Sequence, residues 1–171
     1  MRRYYEKIIM VAAVLLAICL TVGAVSADDG WSFNFSSSNS SNSNGGSMSL
    51  ENGKLVLQDI EFNIPDGYEE NESARTLGND TTDVEDAKYS LCNFLKSDDE
   101  LVIKVFYFDD GEFDNLTPMD SEVAKTMGGI EGVYDPDKYD DNTPTFRYLK
   151  DGKFVEINAP DDDTILSILG E

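Results

Sequence analysis

The chain contains no histidine. Serine–histidine–aspartate and cysteine–histidine nucleophile systems are therefore excluded, as are the usual zinc sites, because each needs an imidazole as base or ligand. Cysteine is nearly absent too, with Cys19 and Cys92 the only two. Cys19 lies in an apolar N-terminal run and leaves with it when that run is removed, so no internal disulfide is expected. Cys92, in "YSLCNFL", reads as a small buried hydrophobe on a strand, with a reactive or chain-linking thiol as the alternative. No glycine-rich loop is followed by Lys-Ser or Lys-Thr, which leaves nucleotide binding without support. Basic residues are scarce, 13 against 34 acidic ones, for a net charge of −21. Acidic side chains are so frequent that no pair stands out as the two carboxylates of a glycoside hydrolase. The sequence thus reads as a non-catalytic protein with no cofactor. Its charge keeps the molecule soluble and monomeric and argues against nucleic acid as a partner.

What is present begins with an export signal. Arg2, Arg3 and Lys7 form a positive n-region, and "IIMVAAVLLAICLTV" over residues 8–22 is an apolar h-region. Val25 and Ala27 then occupy the −3 and −1 positions of a cleavage site, so the mature chain is expected to begin at Asp28. Cleavage removes three basic residues and Glu6, which moves the net charge from −21 to −23 over residues 28–171. The competing reading is a retained single-pass anchor, because residues 8–27 carry no charge and about 20 apolar residues span a bilayer. "LAIC" at residues 16–19 is not a lipoprotein box, since Ile18 fills the slot that takes a small residue. On either reading the expected location is extracytoplasmic, secreted or at the cell surface, and only the N-terminal segment meets a membrane.

Residues 28–47 read as a spacer. "SSSNSSNSNGG" at residues 36–46 offers no apolar area to offset chain entropy, and a coil of this length reaches about 20 Å. Before it, Trp31, Phe33 and Phe35 alternate, either as a strand or as aromatic residues for a membrane or partner surface. Glycosylation sequons occur at Asn34, Asn39, Asn71, Asn79 and Asn115, each with Ser or Thr two positions on.

Residues 48–171 are long enough for one domain. Asn52-Gly53 and Asp151-Gly152 each sit between short apolar runs, and both dipeptides supply the positive φ angles of tight hairpins. A third hairpin is expected across residues 97–100, between "KYSLCNFL" and "LVIKVFYF". The latter run is apolar at all but Lys104 and reads as a central strand buried on both faces. Ile60, Phe62 and Ile64 alternate on one face of a strand that Pro65 ends. Two helices are expected. Thr117, Pro118 and Asp120 resemble a helix start running to about Lys125. "PDDDTILSILGE" places three aspartates at a second helix start, Gly170 at its end, and Ile165, Leu166, Ile168 and Leu169 on one apolar face. The fold class read from this pattern is α+β, a twisted antiparallel sheet of hairpins with one or two short helices packed on one face.

Three segments carry a resemblance: "FNIPDGY" at residues 62–68, "KTMGGIEGVY" at residues 125–134, and "FRYLKDGKFVEI" at residues 146–157. In this order they resemble small exported proteins of unknown function from methane-producing archaea. The last two are also similar to an uncharacterised extracytoplasmic domain of bacterial anti-sigma factors and lipoprotein-like proteins, where a "GxxGxY" turn, a hairpin and a short terminal helix follow one another. The resemblance implies an α+β domain outside the membrane and brings no catalytic residue with it. Two functions are expected from these readings. One is a non-catalytic domain binding a partner protein or a cell-envelope polymer, and the other is a membrane-anchored sensor or regulatory domain. The sequence departs from the anti-sigma pattern in showing no cytoplasmic sigma-binding region, which argues against an anti-sigma role.

Two acidic stretches remain. Asp135, Asp137, Asp140, Asp141 and Asn142 fall in "YDPDKYDDN", and Asp109, Asp110, Glu112 and Asp114 in "FDDGEFDN". Hard oxygen ligands of this kind suit calcium, yet neither stretch has the glycine and terminal glutamate of the twelve-residue calcium loop. Solvated acidic loops are expected, with weak divalent cation binding as the alternative.

Overall fold

The structure, a computed structural model, describes residues 47–82, 84–119, 121–138 and 143–170. Several expectations lie outside those residues: the Ala27–Asp28 cleavage site, the spacer as far as residue 46, the aromatic alternation at Trp31, Phe33 and Phe35, and the sequons at Asn34 and Asn39. Among the described residues no helix is long and apolar enough to cross a membrane.

Two antiparallel sheets make up the fold. The smaller is a meander of β1 (Met48–Glu51), β2 (Lys54–Leu57) and β3 (Ile60–Asn63). The larger contains β4 (Glu69–Glu70), β5 (Thr76–Asp80), β6 (Ala87–Lys96), β7 (Asp99–Phe108), β8 (Val123–Met127), β9 (Ile130–Asp135), β10 (Thr145–Lys150) and β11 (Lys153–Asn158). Its order is β4-β6-β7-β11-β10-β9-β8, with β5 also paired to β6. A 3-10 turn spans Glu72–Ala74, and the helix α1 (Asp162–Leu169) follows β11.

Turn chemistry sets the hairpins. Asn52 and Gly53 adopt φ of 52° and 74°, and Asp151 and Gly152 adopt 50° and 69°, the paired positive values that follow the right-handed strand twist. The hairpin between β6 and β7 closes at Ser97, φ 58°, with Lys96 opposite Asp99. A turn that the sequence does not announce joins β2 to β3, where Gln58 and Asp59 take φ of 52° and 64° without a glycine. Left-handed backbone costs an ordinary residue about 1–2 kcal/mol, and here Gln58 is held from three sides. Its N–H donates to the Ser47 carbonyl at 2.9 Å, its side-chain amide donates to Ser90 Oγ at 2.9 Å, and its carbonyl accepts from Lys153 Nζ at 2.7 Å.

The core lies between one face of the large sheet and a layer made by the meander and α1. The alternation at Ile60, Phe62 and Ile64 buries all three, and Leu55 and Leu57 join them from β2. Opposite are Cys92 and Phe94 of β6, Leu101, Ile103 and Val105 of β7, Val155 and Ile157 of β11, and Phe146 and Tyr148 of β10. Cys92 is fully buried and burial pushes its thiol up to about 12, so the strand reading of this residue fits an unreactive side chain.

The helix begins where the aspartates place it. Asp161 Oδ1 accepts from the Thr164 N–H at 2.7 Å, and Gly170 closes the helix at φ 98°, its N–H reaching the carbonyls of Leu166 and Ser167. Ile165 and Ile168 are buried, while Leu166 and Leu169 pack at the core margin. Asp162 fastens this end to the sheet, accepting from Lys125 Nζ at 2.7 Å and from the Tyr134 hydroxyl at 2.6 Å.

The other expected helix does not form among the described residues. Residues 117–119 have no regular structure, Ser121 lies in a turn, and Val123–Met127 is β8. The helix-start residues are present, but Val123 and Thr126 favour extended backbone, and Gly128 and Gly129, at φ 55° and 70°, close a two-residue hairpin straight after. Glu122, inside the expected helix, instead accepts from the Met119 N–H at 2.8 Å and pairs with Arg147.

Candidate functional site

On the large sheet the odd-numbered residues of β7 face the core, so Lys104, Phe106 and Phe108 face the other way. Register then places Glu156 directly opposite Lys104, and Arg147 opposite Glu156 on the next strand. This second face is charged at its centre and yet buried. Glu156 is 1% exposed and Arg147 4%. Glu156 Oε1 accepts from Lys104 Nζ at 3.2 Å, and its Oε2 accepts from Lys138 Nζ at 2.8 Å. Asn158 donates to Glu156 Oε1 at 3.3 Å and accepts from the Thr145 hydroxyl at 2.7 Å. The Arg147 guanidinium donates to Glu122 and lies 5.4 Å from the Phe154 ring centroid.

Burial alone would raise the Glu156 pKa. The charges of Lys104 and Lys138 and the hydrogen bonds from Lys138 and Asn158 outweigh it and hold the carboxyl below the usual carboxylate range. Both carboxylate oxygens of Glu156 are thus engaged by hydrogen-bond donors. The layer ties β7, β11 and β10 together across the sheet.

The segment between β7 and β8 reaches across this face. The Phe113 N–H donates to the Gly152 carbonyl at 2.8 Å, and its ring centroid lies 4.6 Å from that of Phe108 and 6.1 Å from that of Phe154. Further along, Leu116 and Pro118 line one side of an open groove of about 520 Å³, and Ala124, Thr126, Glu131 and Val133 line the other.

This groove runs beside β8, the last strand of the large sheet. Because a two-residue loop joins β8 to β9, the flanking pair Met127 and Ile130 exchanges both backbone bonds, as do Lys125 with Gly132 and Val123 with Tyr134. Ala124 and Thr126 therefore direct their N–H and C=O groups outward. Among the described residues no backbone or side-chain group pairs with them. Edge strands in natural sheets carry charges, bulges or prolines that discourage pairing. At the opposite edge, β5 is irregular between Thr76 and Asn79, and β4 consists of Glu69 and Glu70. β8 has neither a bulge nor a proline. Its single charge, Lys125, turns to Asp162 and sits 3.6 Å from the Tyr134 ring centroid, while Val123 is 57% exposed. Burial, the hydrogen bond to Asp162 and the nearby carboxylates push the Tyr134 hydroxyl up to about 12, and it remains a donor across the physiological range. Asp162 feels some burial, outweighed by hydrogen bonds from Lys125 and Tyr134, and its pKa is lowered.

The residues singled out in the sequence do not converge here. Asn71 precedes the 3-10 turn, where its Oδ1 accepts from the Ser73 hydroxyl at 2.6 Å and its N–H donates to the Asn93 carbonyl at 2.8 Å. Asn79 is exposed on β5, and Asn115 is exposed between β7 and β8. Asp135 is not in a solvated loop. It ends β9, nearly buried, and accepts from the Ser121 hydroxyl at 2.5 Å and the Asp137 N–H at 3.0 Å. Asp140, Asp141 and Asn142 lie outside the described residues. Asp109 pairs with Lys88 at 2.5 Å, and Asp110, Glu112 and Asp114 are exposed. No three acidic or cysteine side chains gather into a metal-sized cluster among the described residues. The β8 edge is not legible in the sequence, because Pro118 and Asp120 there read as a helix start. The buried pair left one legible sign, a lone Lys104 in one apolar strand and a lone Glu156 in another.

No family model, no curated protein and no solved structure matches this chain.

Proposed function

We propose that this protein is an exported, non-catalytic domain that binds a partner protein or envelope component through the β8 edge. Export rests on the positive n-region, the apolar run and the small residues before Asp28. The observation that carries the binding reading is the open edge itself, a strand with outward N–H and C=O groups at Ala124 and Thr126 beside a groove lined by Leu116, Pro118 and Val133. The buried charges of the second face support the non-catalytic part, because Glu156 and Glu122 are engaged by Lys104, Lys138 and Arg147. A net charge of −21 favours partners that are cationic, neutral or bridged by cations.

The test is capture from an envelope extract on the immobilised exported protein, at low and at high salt. The expected result is a retained component that is released by salt and lost when β8 is altered by Ala124→Lys, while broad hydrolase panels stay at background. Hydrolysis of any substrate, abolished by changing one or two carboxylates, contradicts the reading.

A further inference from the structure

We infer that the occupant of the β8 edge is an extended, basic peptide segment of another protein, which adds to the large sheet as a further strand. This rests on the binding reading above and specifies its partner. Strand addition joins main chain to main chain for affinity, and the pockets beside the receiving strand select alternate side chains. Both parts are in place. Ala124 and Thr126 offer two residues' worth of outward donors and acceptors, the pattern an incoming strand needs at every second position. Residues on one side of that strand would lie over Leu116, Pro118 and Val133, which favours apolar side chains there.

Charge decides the occupant. Among the residues that line the groove Glu131 is the one acid and Lys125 the one base, and Asp114, two residues before Leu116, is exposed. The one basic group of β8, Lys125, is engaged by Asp162 and Tyr134 and does not offset them. A second copy of the chain would bring another −21 to this edge, and large like charge keeps proteins apart. A lysine- or arginine-bearing strand with apolar residues at alternate positions meets both requirements.

The experiment titrates the full exported protein with a labelled peptide of alternating lysine and valine, and with an oligolysine of equal charge, by fluorescence anisotropy. The alternating peptide is expected to bind on the order of tenfold more tightly and to slow amide exchange at Ala124 and Thr126. Thr126→Pro removes an outward N–H without touching a bond to β9, a place where an edge strand tolerates proline. It is expected to weaken binding by about tenfold or more, as is Glu131→Lys, which keeps the backbone intact should the proline variant fail to fold. Equal binding of oligolysine, no protection at β8, or concentration-dependent dimerisation that Thr126→Pro abolishes would each overturn the inference. If the envelope component is still captured while the alternating peptide fails, the binding reading stands and only the occupant is wrong.

Discussion

Replacing Glu156 with alanine is expected to lower the unfolding free energy by about 3–5 kcal/mol, because removing one partner of a buried ion pair leaves the other charge uncompensated. Here the truncation leaves the Lys104 ammonium without its carboxylate and takes one carboxylate from Lys138, and the two side chains are each 11% exposed. It also takes an acceptor from Asn158. For a domain of this size the loss corresponds to a fall in Tm on the order of 15 °C, readable by calorimetry. A change below about 1 kcal/mol would show that water reaches the pair and that it behaves as a surface bridge. The same group sets a pH dependence. Its folded pKa lies below its unfolded value, near 4.3, so its contribution is fully present above that value. It is lost as pH falls through the folded value. Glu156→Gln is therefore expected to flatten the acid limb of the stability profile, most visibly below about pH 4.

Gly132→Ala is the second large effect. The backbone there is not left-handed, so the constraint is space alone. An added Cβ would lie 2.3 Å from the Arg147 carbonyl oxygen and 2.7 Å from Phe146 Cζ. Neither the backbone oxygen nor a fully buried ring can withdraw, and β9 must move away from β10. Overpacking of this kind costs about 1–3 kcal/mol, occasionally more, and we expect the upper end. Gly129→Ala provides the contrast. Nothing lies within 4 Å of its added Cβ, but φ is +70°, so its cost is the conformational 1–2 kcal/mol alone. Denaturant unfolding of the two variants should rank Gly132→Ala as the more damaging. The reverse order would mean that the hairpin turn, and not the β9–β10 contact, limits this part of the sheet.

The parts of the fold legible in the sequence are those written in local chemistry. Asn52-Gly53 and Asp151-Gly152 state their turns through positive φ, and Asp161 and Gly170 state the limits of α1 through capping. Period-two burial at Ile60, Phe62 and Ile64 needs no partner strand to be visible. What escaped depends on contacts distant in the chain. The Gln58-Asp59 turn holds because Ser90 and Lys153 bind Gln58 from 32 and 95 residues away. The strand at Val123–Met127 was hidden by Pro118 and Asp120, whose helix-start chemistry is overridden by the Gly128-Gly129 hairpin and by Arg147 drawing in Glu122. The pairing of Lys104 with Glu156 follows from the β7–β11 register, and hairpin signals do not specify which hairpins lie side by side. The candidate site was the least legible part, because an open edge is a property of the completed strand order.

In this structure β8 is presented open, with the Ala124 and Thr126 backbone groups turned outward. Residue-resolved hydrogen exchange of the free, full-length protein tests it most directly. Lys125 and Met127, whose amides point to β9, are expected to be protected, while Ala124 and Thr126 on the same strand exchange at close to unprotected rates. Equal protection at all four amides would contradict the account, because the edge would then already be covered in the free protein.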